Sequence, residues 1–324
     1  MSPTVFLAML AALSVAPARA VAQTDAYPSK PITIIVPSTA GSGMEIQARL
    51  ISEALKPRGG QPFIIETKPG AIGVIGATAA YRARPDGYTL FATPNSPLVF
   101  NPLTHKSLSY EPEKFTPLAL MSRQPLVMAT RGDFPATSLK ELIDIAKANP
   151  GKLNYASQGV GGGNHLSVLL LEKHTGTHMV HVPFNGAGPA TQAMLRGDVD
   201  FFMAPMAEIL PFYNDGKLKI LAVGTEQRSP HAPDVPTFRE LGYPAEFILT
   251  VWYALVGPPE MPAAISRWLN ANINAALQTP FVRDRIRLTS AEPGDLDQPA
   301  LAAFFARERA VWEKVATENH IEKQ

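Results

Sequence analysis

Apolar residues recur along this chain with two alternating periods. Short β-branched runs bounded by turn residues predict strands, and stretches with apolar residues three and four apart predict helices. Ile32–Val36 reads as the first strand. A loop, Pro37-Ser38-Thr39-Ala40-Gly41-Ser42-Gly43, leads from it into a helix, Met44–Lys56, with Ile46, Leu50, Ile51 and Leu55 as the apolar stripe. Pro57-Arg58-Gly59-Gly60 ends that helix. Phe63–Glu66 is a second strand, Ala71–Arg84 a small-residue-rich helix and Tyr88–Thr93 a third strand. This βαβαβ order favours a parallel sheet with right-handed crossovers.

The alternation then repeats. Ser138 and Glu141 predict a capping box ahead of Leu139, Leu142, Ile143 and Ala146. Lys152–Ser157 reads as a strand and Asn164–Lys173 as a helix. His178–Phe184 reads as a strand and Gly188–Arg196 as a helix. Val199–Ala204 and Lys219–Gly224 are further strands. The last part holds one strand, Phe247–Val256, and helices at Ala263–Leu277, Phe281–Leu288 and Pro299–Glu318. One strand cannot build a sheet alone, so this part should return to complete the first. The expectation is an α/β protein of two lobes with a cleft between them. Residues 27–124 and 249–324 form lobe 1, and residues 125–248 form lobe 2.

Three loops share one design. Pro37–Gly43, Ser157-Gln158-Gly159-Val160-Gly161-Gly162-Gly163 and Asn185-Gly186-Ala187-Gly188 each run from a strand into a helix. Glycines let backbone amides approach a ligand, and a helix N-terminus adds unsatisfied donors and partial positive charge. In parallel α/β sheets such loops gather at the carboxyl ends of the strands. Ser38, Thr39, Ser42, Ser157 and Asn185 add polar side chains, and Gly41, Gly43, Gly159, Gly161, Gly162 and Gly186 expose backbone. The guest these loops suit is a small anion, most simply a carboxylate. Each loop by itself is a weak signal, because a glycine turn before a helix is often only a turn. None carries the Gly-Lys-Ser/Thr of a phosphate loop or the spacing of a dinucleotide fingerprint.

Other chemistry is disfavoured. His165, His174, His178 and His181 lie close in sequence, yet His178 and His181 fall on opposite faces of one strand. A zinc site is not expected; His165, on the first turn after the glycines, is the better ligand contact. No Gly-x-Ser-x-Gly elbow occurs, so no enzyme and no cofactor are expected. The chain lacks cysteine, which removes disulfides, thiolate metal sites and a Cys nucleophile.

The N-terminus adds an address. Val5–Val15 is apolar but too short to span a bilayer, and Ala18-Arg19-Ala20 and Ala20-Val21-Ala22 fit a small-residue cleavage site. Residues 1–22 read as a secretory signal peptide cut after Ala20 or Ala22, although no Lys or Arg precedes the apolar run. Its removal takes Arg19 and leaves 28 basic and 28 acidic residues. A formally neutral protein gives no reason to expect nucleic acid as a partner.

Seven ordered blocks carry a family resemblance: YPSKPITIIVP at 27–37, KPGAIGVIGA at 68–77, RPDGYTL at 84–90, NPGKLNYAS at 149–157, HVPFNGAGPA at 181–190, GKLKILAV at 216–223 and PDVPTFRELG at 233–242. Together they resemble the extracytoplasmic solute receptors of tripartite tricarboxylate transporters, the Bug receptors. The resemblance implies a two-lobed periplasmic binding protein fold, type II-like, that closes on a ligand. It implies periplasmic capture of a small carboxylate by backbone amides and bridging waters, and delivery to membrane transporter subunits. Signalling to a two-component sensor kinase is the alternative.

Position by position, the resemblance covers Ser38–Glu45, Ser157, Gly159, Gly161 and His165. It continues at Phe184, Asn185, Gly186 and Ala187, with Thr93 and Asn95 expected beside them in the cleft. The sequence departs from the family where Ala204-Pro205 stand after Phe202-Met203, a place where many members have an Asp. That loss argues against an amino-acid ligand and for a plain or less polar acid.

Overall fold

The computed structural model describes residues 27–59, 61–318 and 323. The expected signal peptide, residues 1–22, lies outside these, as do the final residues of the segment 249–324 at 319–322 and 324.

The first strand, β1 (Ile32–Val36), is almost wholly buried and pairs in parallel with β2 (Phe63–Thr67) and β3 (Thr89–Pro94). Between β1 and β2 runs α1 (Gly43–Gly59). Its buried stripe is Met44, Ala48, Ile51 and Leu55, at four- and three-residue steps, while Ile46 of the expected stripe faces outward. The expected helix at Ala71–Arg84 is shorter: a 3-10 turn at Ala71–Gly73 precedes α2 (Val74–Tyr81). A π turn at Ser96–Phe100 runs into the short α3 (Asn101–Thr104).

Then comes β4 (Thr116–Arg131), a 16-residue strand that the pattern reading did not mark. The alternating elements follow: α4 (Leu139–Ala148), β5 (Asn154–Ser157), α5 (Gly163–Thr175), β6 (Val180–Pro183), α6 (Ala187–Arg196), β7 (Phe201–Pro205), α7 (Met206–Asn214) and β8 (Leu218–Val223). The chain closes with β9 (Thr250–Gly257), α8 (Ala263–Leu277), α9 (Pro280–Arg287), β10 (Glu292–Pro293) and α10 (Gln298–Glu318). The cap of α4 differs in detail from the expected box. Ser138 accepts from the Glu141 amide at 3.2 Å, but the Glu141 carboxylate bonds the amide of Thr137, one residue earlier, at 2.6 Å.

Strand order is β2-β1-β3-β9-β4-β7-β5-β6, with β8 and β10 also paired to β4. Parallel pairs lie at the two ends and antiparallel pairs in the middle. Residues 116–125 of β4 pair with β9, and residues 126–131 pair with β7 and β8. The partner exchange occurs at Leu126. Its amide donates to the Leu249 carbonyl at 2.9 Å, and its carbonyl accepts from Gly224 at 2.8 Å. Leu249 in turn donates to Gly224 at 2.9 Å. Two chain segments thus pass side by side between two groups of strands. Pro125 sits at this crossing, where a missing donor costs least.

β9 inserts between β3 and β4. Trp252 on β9 is fully buried, packs on Phe304 and Phe305 of α10, and donates its indole N–H to Glu308 at 2.9 Å. Among the described residues no helix is long and apolar enough to cross a membrane.

Candidate ligand-binding cleft

A cavity of about 1430 Å³ opens where β1, β3, β5, β6 and β7 end. Its walls come from both strand groups. Ser38, Thr39, Gly41, Ser42, Gly43 and Asn95 line one side, and Gly159, Gly161, Gly162, His165, Phe184, Asn185, Gly186 and Ala187 line the other. Thr93 and Ser157 do not reach it. Both are strand residues whose side chains point into the protein. Thr93 is fully buried and its hydroxyl donates to the Pro94 carbonyl at 2.8 Å. Ser157 is fully buried; its Oγ accepts from the Gly159 amide at 3.1 Å and lies 2.6 Å from His181 Nε2. Ser157 therefore shapes its loop from beneath instead of facing the cavity.

The first loop is fixed by its own polar groups. Ser38 and Ser42 hydroxyls lie 2.5 Å apart, and Ser42 Oγ caps α1 by accepting from the Glu45 amide at 3.3 Å. Glu45 is buried, accepts from the Gly41 amide at 3.3 Å and pairs with Arg49 one turn on. Gly41 has φ 81°, and a Cβ there would meet nothing within 4 Å.

The second loop is built differently. Gly159 and Gly161 have φ 137° and 78°. A Cβ on Gly161 would lie 2.8 Å from Thr104, one on Gly163 2.8 Å from Phe100, and one on Gly159 3.1 Å from Ile72. These glycines let the loop pack directly on residues that follow β2 and β3. Gly161 also donates its amide to His165 Nδ1 at 3.1 Å, so neutral His165 keeps its proton on Nε2. The His165 ring stacks on His181 with centroids 4.0 Å apart. Burial, and then the neighbouring His181, lower its pKa to about 4. His165 is a neutral donor near pH 7, not a cation.

The third loop ends at Gly186, with φ 110°, which precedes the first residue of α6. Helices α1, α2, α5, α6 and α7 begin at or beside this cavity. The first-turn amides of Gly163, Asn164, Ala187 and Gly188 have no acceptor among the described residues. Among the described residues no Lys or Arg lines the cavity, and the one carboxylate side chain that does is Glu208, on the first turn of α7. Among the described residues no cluster of groups suited to a metal ion occurs.

Pattern reading missed several lining residues: Pro69–Gly73, Val251, Tyr253 and Glu208. The Gly70 and Gly73 spacing was a usable signal for the first segment. There Ala71 and Ile72 adopt left-handed φ of 47° and 48°. That conformation is an outlier for a β-branched residue and costs of order 1–3 kcal/mol. Asn101 holds it by donating to the Ile72 carbonyl at 3.1 Å.

A cleft between two α/β lobes, walled by helix N-termini and strand-end loops from both, defines a periplasmic binding protein fold. Residues 47–320 match the model of the tripartite tricarboxylate transporter family receptor, and the chain belongs to that family. It is 34% identical over 296 residues to Protein BugT of Bordetella pertussis, covering 91% of this chain and 90% of that one. Two solved structures are similar throughout. One is an R. palustris protein with adipate, at TM-score 0.86 and 29% identity, covering 92% of this chain and 100% of that one. The other is MatC from Rhodopseudomonas palustris with bound malate, at TM-score 0.82 and 33% identity, covering 90% and 100%.

Proposed function

We propose that this chain captures a small carboxylate in the periplasm and presents it to the membrane subunits of a tripartite tricarboxylate transporter. The observation that carries this reading is a cavity lined by unpaired first-turn amides of α5 and α6, faced by the start of α1, and by no Lys or Arg among the described residues. Such amides bind a carboxylate through fixed dipoles. Adipate and malate in related structures support the ligand class.

In this reading residues 27–124 with 249–324 form one lobe and residues 125–248 the other. Each lobe swings about the two crossings at 124–126 and 248–250. Ser38, Thr39, Gly41, Ser42, Gly43, Asn95, Gly159, Gly161, Gly162, His165, Phe184, Asn185, Gly186 and Ala187 contact the ligand. Ser157 and Thr93 act from behind. Residues 1–22 are the export signal and are removed.

The reading includes no chemical turnover. Ser157 and His181 form a close Ser–His pair, but Ser157 is buried beneath its loop and accepts from Gly159. No specific observation favours signalling to a sensor kinase. Mass spectrometry of the compound released from purified protein, followed by calorimetric titration with it, tests the reading. Release of a carboxylate that rebinds is expected. A protein that neither carries nor binds any carboxylic acid would overturn it.

A further inference from the structure

Glu208 has no structural duty that accounts for it. It is the third residue of α7, where a glutamate ordinarily closes a capping box by accepting the N-cap amide. Here the N-cap is Pro205, which has no N–H to give. Among the described residues the Glu208 carboxylate makes no hydrogen bond and no ion pair. The group therefore faces the cavity unpaired, in a chamber that holds no Lys or Arg.

Its surroundings are half-made for a cation. Tyr253 of β9 lines the same end of the cavity. Gln124 donates to the Tyr253 hydroxyl at 3.0 Å, which fixes the phenol and leaves its oxygen a further lone pair. Burial first, and the Glu208 charge second, push the phenol up to about 12, so Tyr253 stays neutral. Burial also raises the Glu208 carboxyl above its usual range, the mark of an anion lacking a partner.

The amide-lined loops and the Glu208–Tyr253 corner make opposite demands on one ligand. A carboxylate satisfies the first. A second carboxylate at Glu208 meets a like charge with no cation beside it, which is costly. An ammonium there completes an ion pair with a neutral oxygen beside it.

Resting on the capture reading above, we propose that Glu208 is the specificity-determining residue of the cleft and selects a zwitterionic amino monocarboxylate over a dicarboxylate. This reverses the expectation drawn from Ala204-Pro205. The acid missing at that place is supplied from the first turn of α7.

The test is calorimetric titration of matched pairs of equal chain length: γ-aminobutyrate with succinate, δ-aminovalerate with glutarate, and ε-aminocaproate with adipate. Wild-type protein is expected to prefer an amino member over its dicarboxylate partner by at least about tenfold, the scale of one charge-assisted hydrogen bond. Glu208→Gln, which keeps shape and removes charge, is expected to lose that preference and to gain affinity for the dicarboxylate. A wild-type preference for the dicarboxylates, or an unchanged ratio in Glu208→Gln, would overturn the role of Glu208 while leaving carboxylate capture intact. If none of the six binds either protein, the role of Glu208 is overturned, while carboxylate capture is decided separately by the compound released from the purified protein.

Discussion

The loop at 37–43 and the loop at 157–163 look alike in sequence, yet their glycines answer different needs. In the first, Gly41 and Gly43 stand in open space, and hydroxyls and a buried carboxylate hold the chain in place. In the second, glycine is a packing residue: a side chain at 159, 161 or 163 would collide with or press on Ile72, Thr104 or Phe100. In one loop Gly41 serves a left-handed backbone beside open space, and in the other glycine lets two parts of the protein meet backbone to side chain. A glycine-rich loop before a helix is thus not one signal but two.

The sharpest way to break this contrast is Gly161→Val. A β-branched side chain at φ 78° would also strike Thr104, and strain plus overpacking is expected to cost at least about 3 kcal/mol. Urea unfolding measures it. Thr104→Ala should restore part of the loss, since two of the three clashing atoms go. A Gly161→Val protein of wild-type stability would remove the packing explanation.

The second loop should also be the acid-sensitive one. His165 is neutral in the fold, with a pKa near 4, against about 6.5 in the unfolded chain. Its contribution is complete above about pH 6.5 and is lost as pH falls toward 4, because the unfolded chain binds the proton first. The loss is up to about 3 kcal/mol on this linkage. Unfolding midpoints taken from pH 7.5 to 4.5 should fall less steeply in His165→Gln. Parallel profiles for the two proteins would contradict this.

Smaller effects belong to the first loop. Gly41→Ala meets no neighbour and should cost only the left-handed backbone, about 1 kcal/mol, with Gly41→Asn cheaper still. Thermal melts of the pair decide whether strain alone is at work. The smallest effect is expected at Arg196, exposed and hydrogen-bonded to Asp198 at 2.6 Å. Arg196→Ala should change ligand affinity by less than about 0.5 kcal/mol, within the range for exposed charges. A hundredfold loss on titration would mean a direct clamp and no amide cradle.

The sequence made some of this legible and hid the rest for identifiable reasons. Continuous apolar runs marked strands buried on both faces, such as β1, and the period of 3.6 marked helices that bury one stripe, α1 and α8 among them. They failed on β4, whose interior carries Pro117, Ser122, Arg123, Gln124 and Pro125, because a strand that changes partners midway has no single buried face. They failed on α7, which follows β7 with no turn residue between and holds Pro211. The cleft loops were readable because glycine before a helix is a local feature. Glu208 was not, since only the fold shows that Pro205 leaves it without a capping partner. The left-handed Ile72 was equally hidden: nothing local to an Ala-Ile pair requires that conformation, and Asn101, far along the chain, imposes it.

The place of β9 between β3 and β4 has a temporal consequence. As the chain emerges from its N-terminus, β3 is complete long before the strand that covers its open edge. Everything from Asn95 to Leu249 comes first, including the full set β5, β6, β7 and β8 that pair among themselves and with the end of β4. That intervening group can assemble from contacts within its own stretch, whereas β3–β9 contacts must wait for residues about 160 positions downstream. The molecule is therefore expected to fold from the inside of its sequence outward, with Thr250–Gly257 arriving last as a central strand. Until then β3 and the first half of β4 each present a bare edge, the kind of surface on which another chain can pair.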